Sequence, residues 1–329
     1  MTGWTTGAPV RWPEALGTRF TILVDAEEEF DWGAPFSPDN RAVTAIAALP
    51  KADQRLRDLG ALPAYLVDHP VAVDPAAIEV LRALATRPQG EIGAQLHPWV
   101  NPPFAEEPSA GQGFVGNLPM ASEAAKLRAL TAAIAAATGT APRVYRAGRY
   151  GIGPHTLTLL AAEGYQLDTS MRARFDYRAY GGPSFTSVGN QAFRTGPDDR
   201  IIELPLTTVF TGLLKGMGPT LYPRLVRRRI ALGALARSRT LARVPLTPEG
   251  VPVSEALEAV RVALGEGTPI LNFAFHSPSL VPGHTPYVRD AADLGRFYGW
   301  WDAVMQLLAR RNVAAISVED LLCSASLAS

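Results

Sequence analysis

The stretch "RFTILVDAEEEFDW", residues 19–32, opens as an apolar run and closes with five acids within seven residues. A short apolar run bounded in this way reads as a buried strand. More of the same kind follow: "LPAYLVDHP", "EIGAQLHPW", "RVYRAGRYG", "YQLDTSM", "IIELPLT", "ILNFAFHSP" and "VAAISVEDLL". Between most of them lie segments with helical spacing, at 41–59, 76–86, 122–138, 154–163, 254–264 and 293–311. Strand and helix alternating this regularly predict a mainly parallel sheet with crossover helices, open or closed into a barrel. No internal repeat or low-complexity linker breaks the chain, so one domain over residues 1–329 is expected, a length that α/β barrels often reach.

Composition narrows the class. Hydrophobic residues make up 47% and charged residues 19%, which fits a soluble globular protein with a sizeable core. Basic and acidic residues balance at 31 each, so nothing global points to nucleic acid. The single cysteine, Cys323, excludes an intramolecular disulfide and a Cys-rich zinc site; it reads as a small buried apolar residue. The N-terminal "MTGWTTGAPVRWPEALG" lacks a signal-peptide core, and no stretch nears the ~18 apolar residues of a membrane span. A cytoplasmic protein is expected. One region departs from the alternation: "YPRLVRRRIALGALARSRTLARVP", residues 222–245, holds seven arginines and no acid. It predicts a helical insertion at about 212–245 outside the barrel. A solvated lid is the favoured reading, with contact of 224–243 to an anionic substrate or membrane surface as the alternative.

In parallel α/β folds chemistry gathers at the carboxyl ends of the strands. Here those ends carry Asp25 and Glu27, Asp68 and His69, Gln95 and His97, Arg146 and Arg149, Asp168, and His276. If the first strand continues, Asp25, Glu27 and Glu29 share one face. Carboxylates packed so tightly need a cation, a proton or arginines to neutralise them. A D-x-E pair can divide the work, one carboxylate binding a metal and the other drawing a proton from water. Gln95 and His97 also share a face, one substitution away from an H-x-H metal clip. In "YRAGRYGIGPHTL", residues 145–157, an arginine could hold the base carboxylate ionised. His276 ends a fully apolar strand, where bulk solvation does not explain it; a general acid or a satisfied structural histidine both fit.

Together "DAEEEFDW", "EIGAQLHPWVNPP", "RAGRYG", "GYQLDTS" and "FHSPSLVPGHTPYVRD" resemble, in order, the motifs of the NodB-homology polysaccharide deacetylases, specifically the WalW-type branch, from about residue 20 to 321. The resemblance implies a distorted (β/α)7–8 barrel and a metal-dependent hydrolase removing acetyl groups from sugars or a surface-polysaccharide precursor. By that likeness Asp25 is the catalytic base, Glu27 and His97 are ligands of a divalent metal, most simply zinc, and Arg146 orients the base. Asp168 would steady the acid-base machinery and His276 would be the general acid. Gln95, Trp99, Arg149 and Tyr150 would meet the substrate. The sequence departs from the family at Gln95, where this branch has histidine, and at Trp99, where the H-x-x-x-H spacing would place another. An amide oxygen is a weaker zinc ligand than imidazole. The metal is therefore expected to be weakly bound or absent, leaving two other readings: a metal-independent C–N hydrolase of the same superfamily, and a non-catalytic sugar-binding barrel.

Overall fold

Residue 19 begins a strand whose two faces are both buried, as a continuous apolar run requires. The computed structural model describes residues 4, 6–104, 111, 113–226 and 228–327. Its strands are β1 (Arg19–Ala26), β2 (Pro63–Val67), β3 (Glu91–Leu96), β4 (Val144–Ala147), β5 (Leu167–Asp168), β6 (Phe193–Thr195), β7 (Ile201–Glu203), β8 (Thr208–Thr211), β9 (Ala242–Pro245), β10 (Ile270–His276) and β11 (Ala314–Ala315). The helices are α1 (Leu49–Asp58), α2 (His69–Val73), α3 (Pro75–Ala85), α4 (Met120–Thr138), α5 (Thr156–Ala162), α6 (Gly218–Leu225), α7 (Arg229–Arg237), α8 (Val253–Gly265), α9 (Ala291–Arg310) and α10 (Val318–Leu327).

The main sheet runs β10-β1-β2-β3-β4-β5-β7 with every neighbouring pair parallel. β11 adds parallel to β1, and β6 adds antiparallel to β7. The sheet curls until the chain beyond β7 reaches the far edge of β10. There Thr207 N–H donates to the Asn272 carbonyl at 3.2 Å, and Ala274 N–H to that of Leu246 at 3.2 Å. The Asn272 amide also donates to the Leu204 carbonyl at 3.1 Å. The result is the distorted barrel that the alternation and the motif resemblance predicted. Leu23, Leu66, Val144, Leu167 and Ile202 fill its interior, whereas Ile22, Val24, Val67, Tyr145 and Phe273 face the surrounding helices.

The six helical segments expected from spacing correspond to α1, α3, α4, α5, α8 and α9. The first starts later than residue 41, because Pro50 in its opening turn favours initiation there and the residues before it form a 3-10 turn. The short α2 was not anticipated. Asp68 creates it by accepting the Val71 N–H at 3.0 Å as N-cap.

The arginine-rich stretch also differs from expectation. It forms two short helices and a strand, with α6 and α7 separated and Ala242–Pro245 paired to β8. Pro223 inside α6 removes a backbone donor and weakens any longer helix. Arg227 and the side chain of Arg229 lie outside the described residues. With its charge divided between three elements, the segment gives no support to peripheral membrane contact. Among the described residues no helix is long and apolar enough to cross a membrane. Cys323, expected in the core, is exposed on α10.

Candidate active site

The carboxyl ends of the parallel strands surround a cavity of about 350 Å³. Strand parity decides what enters it. Asp25 shares the interior face of β1 with Leu23, and Arg146 shares that of β4 with Val144. Arg146 reaches across the barrel to donate from Nη1 to Asp25 Oδ1 at 2.5 Å, and both side chains are almost completely buried. Its remaining nitrogens are satisfied by the Thr169 carbonyl and hydroxyl, each at 3.3 Å. Both groups are thus taken out of water as a hydrogen-bonded ion pair.

His276 is the register partner of Asp25 across β1 and β10. Its Nε2 lies 3.5 Å from Asp25 Oδ2, while its Nδ1 lies 2.6 Å from Glu249 Oε2. Glu249 is itself fixed by the His276 backbone N–H at 3.0 Å and the Ser279 hydroxyl at 2.6 Å. Burial by itself would strip the proton from His276. The charges of Glu249, Glu27 and Asp25 outweigh it and push the imidazole up to about 10. The ring is therefore an imidazolium at neutral pH, with one N–H held by Glu249 and the other edge open to the cavity.

On the other side of Asp25, β1 ends at Ala26, so the acids beyond it do not continue the strand. Glu27 still faces the cavity, its backbone N–H held by the Ser277 hydroxyl at 3.2 Å. Gln95 Nε2 donates to Glu27 Oε2 at 3.1 Å, and His97 Nε2 lies 3.6 Å from the same oxygen. Burial pushes Glu27 up to about 8, against the opposing pull of His276 and His97. Glu29 does not join them. It turns away to accept from the Thr44 hydroxyl at 2.8 Å and the Ala45 N–H at 2.5 Å.

Behind His97 lies a further acidic pair. Glu28, Asp68 and His97 bring their ligand atoms within 4.8 Å of one another, all three buried. Glu28 Oε2 faces His97 Nδ1 at 2.7 Å, Trp99 Nε1 donates to Glu28 Oε1 at 2.7 Å, and Asp68 Oδ2 accepts the Glu28 N–H at 2.7 Å. Burial raises both acids, Asp68 well above the usual range, and the two carboxyls hydrogen-bond each other. These groups are already occupied by protein donors, so the cluster acts as a bracket for His97. Burial also lowers His97, favouring its neutral form, with Nδ1 against Glu28 and Nε2 toward the cavity.

The residues read as substrate contacts, Gln95, Trp99, Arg149 and Tyr150, all line the cavity. Trp99 stacks on His97 with ring centres 4.4 Å apart and on Phe36 at 4.2 Å. Arg149 lies over the rings of Phe114 and Phe36 at 3.9 and 4.8 Å. Asp168 and His69 do not line it. Asp168 pairs in register with Tyr145 on the outward face of the sheet, where it accepts from Ser170 Oγ at 2.5 Å and hydrogen-bonds Glu203. It is the next residue, Thr169, that meets Arg146. The acid that steadies His276 is instead Glu249, from the loop between β9 and α8. Its segment, "LTPEG", carries no periodicity or motif that would have singled it out.

The residues at the cavity fit a cation in one respect. Glu27 Oε1 and Gln95 Oε1 are buried acceptor oxygens without a hydrogen-bond donor, and His97 Nε2 faces the same space. One carboxylate, one imidazole and one amide oxygen make three protein donors, as catalytic zinc sites have, but with a neutral oxygen in the third place.

Comparison with solved structures supports the architecture. A Mycobacterium smegmatis protein assigned as a polysaccharide deacetylase superposes with a TM-score of 0.59 at 16% identity, covering 98% of this chain and 95% of its own. A Pseudomonas aeruginosa protein with the same assignment gives 0.51 at 14%, covering 94% of this chain and 91% of its own. The allantoinase Puue gives 0.54 at 13%, covering 97% and 94%. At such identities the likeness is one of fold: this chain has the deacetylase-type distorted barrel. No family model matches the sequence, and neither does any curated protein.

Proposed function

We propose that the protein is a hydrolase that removes an acetyl or other acyl group from a small or terminal N- or O-acylated sugar. The observation that carries this reading is the Asp25 carboxylate, held by Arg146 on one oxygen and facing the His276 imidazolium with the other. Asp25 takes a proton from water as that water attacks the acyl carbonyl. His276 then gives its proton to the departing nitrogen or oxygen. Glu249 keeps that proton on His276 until transfer. The cavity volume suits a small ligand, near the low end of the ~300–1,000 Å³ usual for such pockets.

A divalent metal, if bound, would be held by Glu27, His97 and the Gln95 amide oxygen. It would supply Lewis-acid polarisation of the carbonyl and of water. A metal-independent reading is favoured by one specific contact, the Gln95 amide donating to Glu27, which satisfies that carboxylate oxygen without a cation. In that case Gln95 and Glu27 meet the substrate directly, and a C–N bond of another amide class becomes an equal candidate. The fold shared with Puue allantoinase agrees with that alternative. A non-catalytic sugar-binding role leaves the buried Asp25–Arg146 pair and the charged His276 without a use.

Elemental analysis of dialysed protein, paired with acetate release from a panel of N- and O-acetylated monosaccharides, separates these readings. Metal is expected to be substoichiometric in the wild type and retained in Gln95→His, where a second imidazole replaces the amide. Stoichiometric zinc in the dialysed wild type would show that the donor set is stronger than its chemistry suggests. Acetate release by metal-free wild type would select the metal-independent mechanism. No hydrolysis from any member of the panel, with or without added zinc, would remove the deacetylase reading.

A further inference from the structure

Arg172 lines the same cavity yet makes no ion pair with an acid among the described residues. Its Nε is buried without a hydrogen-bond partner. The guanidinium lies over Phe175 at 3.9 Å and Tyr150 at 5.6 Å, and the groups that face it are Tyr177, which also hydrogen-bonds it, Tyr150 and Tyr287. A second arginine, Arg243, covers Phe175 at 3.5 Å, close enough for the two cations to repel. Asp176, whose charge acts on Arg243, is engaged by Arg178 through Nε at 2.9 Å and Nη2 at 2.7 Å. Two cations share one aromatic ring here with no carboxylate between them. Arg172 is half-buried and opens onto the cavity, so an anion that enters can complete its pairing.

The same cavity is lined by Asp25, Glu27 and Glu249. Tyr150 joins the two groups of residues, with the Arg172 guanidinium 5.6 Å and the Arg146 guanidinium 5.9 Å from its ring centre. A ligand in the cavity thus meets the Asp25–His276 pair and, across Tyr150, a guanidinium with no carboxylate partner.

We propose that the substrate carries an oxyanionic group, the carboxylate of an acidic sugar or the phosphate of a sugar phosphate, that docks on Arg172 and aims the acyl group at Asp25 and His276. The planar guanidinium suits either oxyanion through paired N–H donors. This deepens the sugar-acyl hydrolase reading and rests on it for the acyl end, whereas the anion end can be measured without turnover.

The test titrates glucuronate, inorganic phosphate and glucose into the intact protein by calorimetry, with the wild type, Arg172→Gln, Arg172→Lys and Asp25→Asn. At least one anion should bind the wild type about tenfold or more tighter than glucose, a difference of about 1.4 kcal/mol. Arg172→Gln should lose that preference, Arg172→Lys should keep part of it, and Asp25→Asn should retain it. A response to glucuronate alone identifies an acidic sugar, and a response to phosphate alone a sugar phosphate. Equal binding of glucose, no anion binding at millimolar concentration, or an unchanged preference in a folded Arg172→Gln would overturn the proposal. Anion binding that depends on Arg172, in a protein that releases no acetate, would leave this site standing and remove only the hydrolase reading.

Discussion

Glu249 and Arg146 each hold one of the two groups flanking the reaction space. Arg146 binds one oxygen of Asp25, and Glu249 favours the protonated form of His276, pushed up to about 10. A raised histidine keeps its folding contribution intact below about 6.5 and loses it as pH rises through about 10. Activity that needs the imidazolium falls over the same upper range. Glu249→Gln removes the largest raising charge, so the alkaline limb of kcat/KM should move toward neutral pH while the acidic limb stays. An unmoved alkaline limb would assign it to another group. Gly148 has a steric role beside them, since a Cβ there would come within 2.2 Å of His97 Cδ2 and 2.8 Å of the Leu96 carbonyl. Gly148→Ala should therefore displace the His97 ring and disturb its bond to Glu28, visible as a changed imidazole NMR signal in a protein that still folds. Asp25, Arg146 and His276 were legible in the sequence because each ends or nearly ends an apolar strand, and strand parity alone turns them inward. Glu249 was not, because a loop residue carries no parity to read.

The strand ends explain where such reading fails. β1 stops at Ala26, so the alternation that would group Glu27 with Glu29 no longer holds, and Glu28 becomes the bracket of His97. β5 is only two residues long, and Asp168 falls on its outward face. The helices were more legible, since their spacing needs only a local stripe to pack against the sheet. α4 shows a further consequence of that packing. Glu123 in its first turn is buried, accepts the Thr156 hydroxyl with one oxygen and has no partner for the other. Burial pushes it up to about 7 from 4.5. The stability tied to its neutral form is complete below about 4.5 and is lost as pH rises through about 7. Glu123→Gln keeps an acceptor for Thr156 without the charge. It should raise unfolding stability at pH 8 by up to about 3 kcal/mol and leave pH 4 unchanged. Denaturant titrations at the two pH values check this, and an equal effect at both would contradict it.

Across the whole molecule, the curled sheet turns strand ends far apart in sequence into one cavity. Residues 25, 146, 249 and 276 meet there because β1 and β10 present Asp25 and His276 in register, Arg146 reaches across from β4, and the β9–α8 loop brings Glu249 to His276. The fold was legible from the alternation of strands and helices and from the ordered motifs. The arginine-rich stretch was not, since its fate depends on pairing with β8, which no local pattern announces. The central claim is that Asp25 is the base of a hydrolytic site. Its most direct test is the turnover of Asp25→Asn in the acetate-release assay, on whichever acetylated sugar the wild type hydrolyses best. The variant preserves the side-chain volume and one acceptor for Arg146. A fall in kcat of about 10²–10⁴ with an unchanged fold is the expected result. Near wild-type turnover would mean that the water is activated elsewhere and that the Asp25–Arg146 pair serves only the structure.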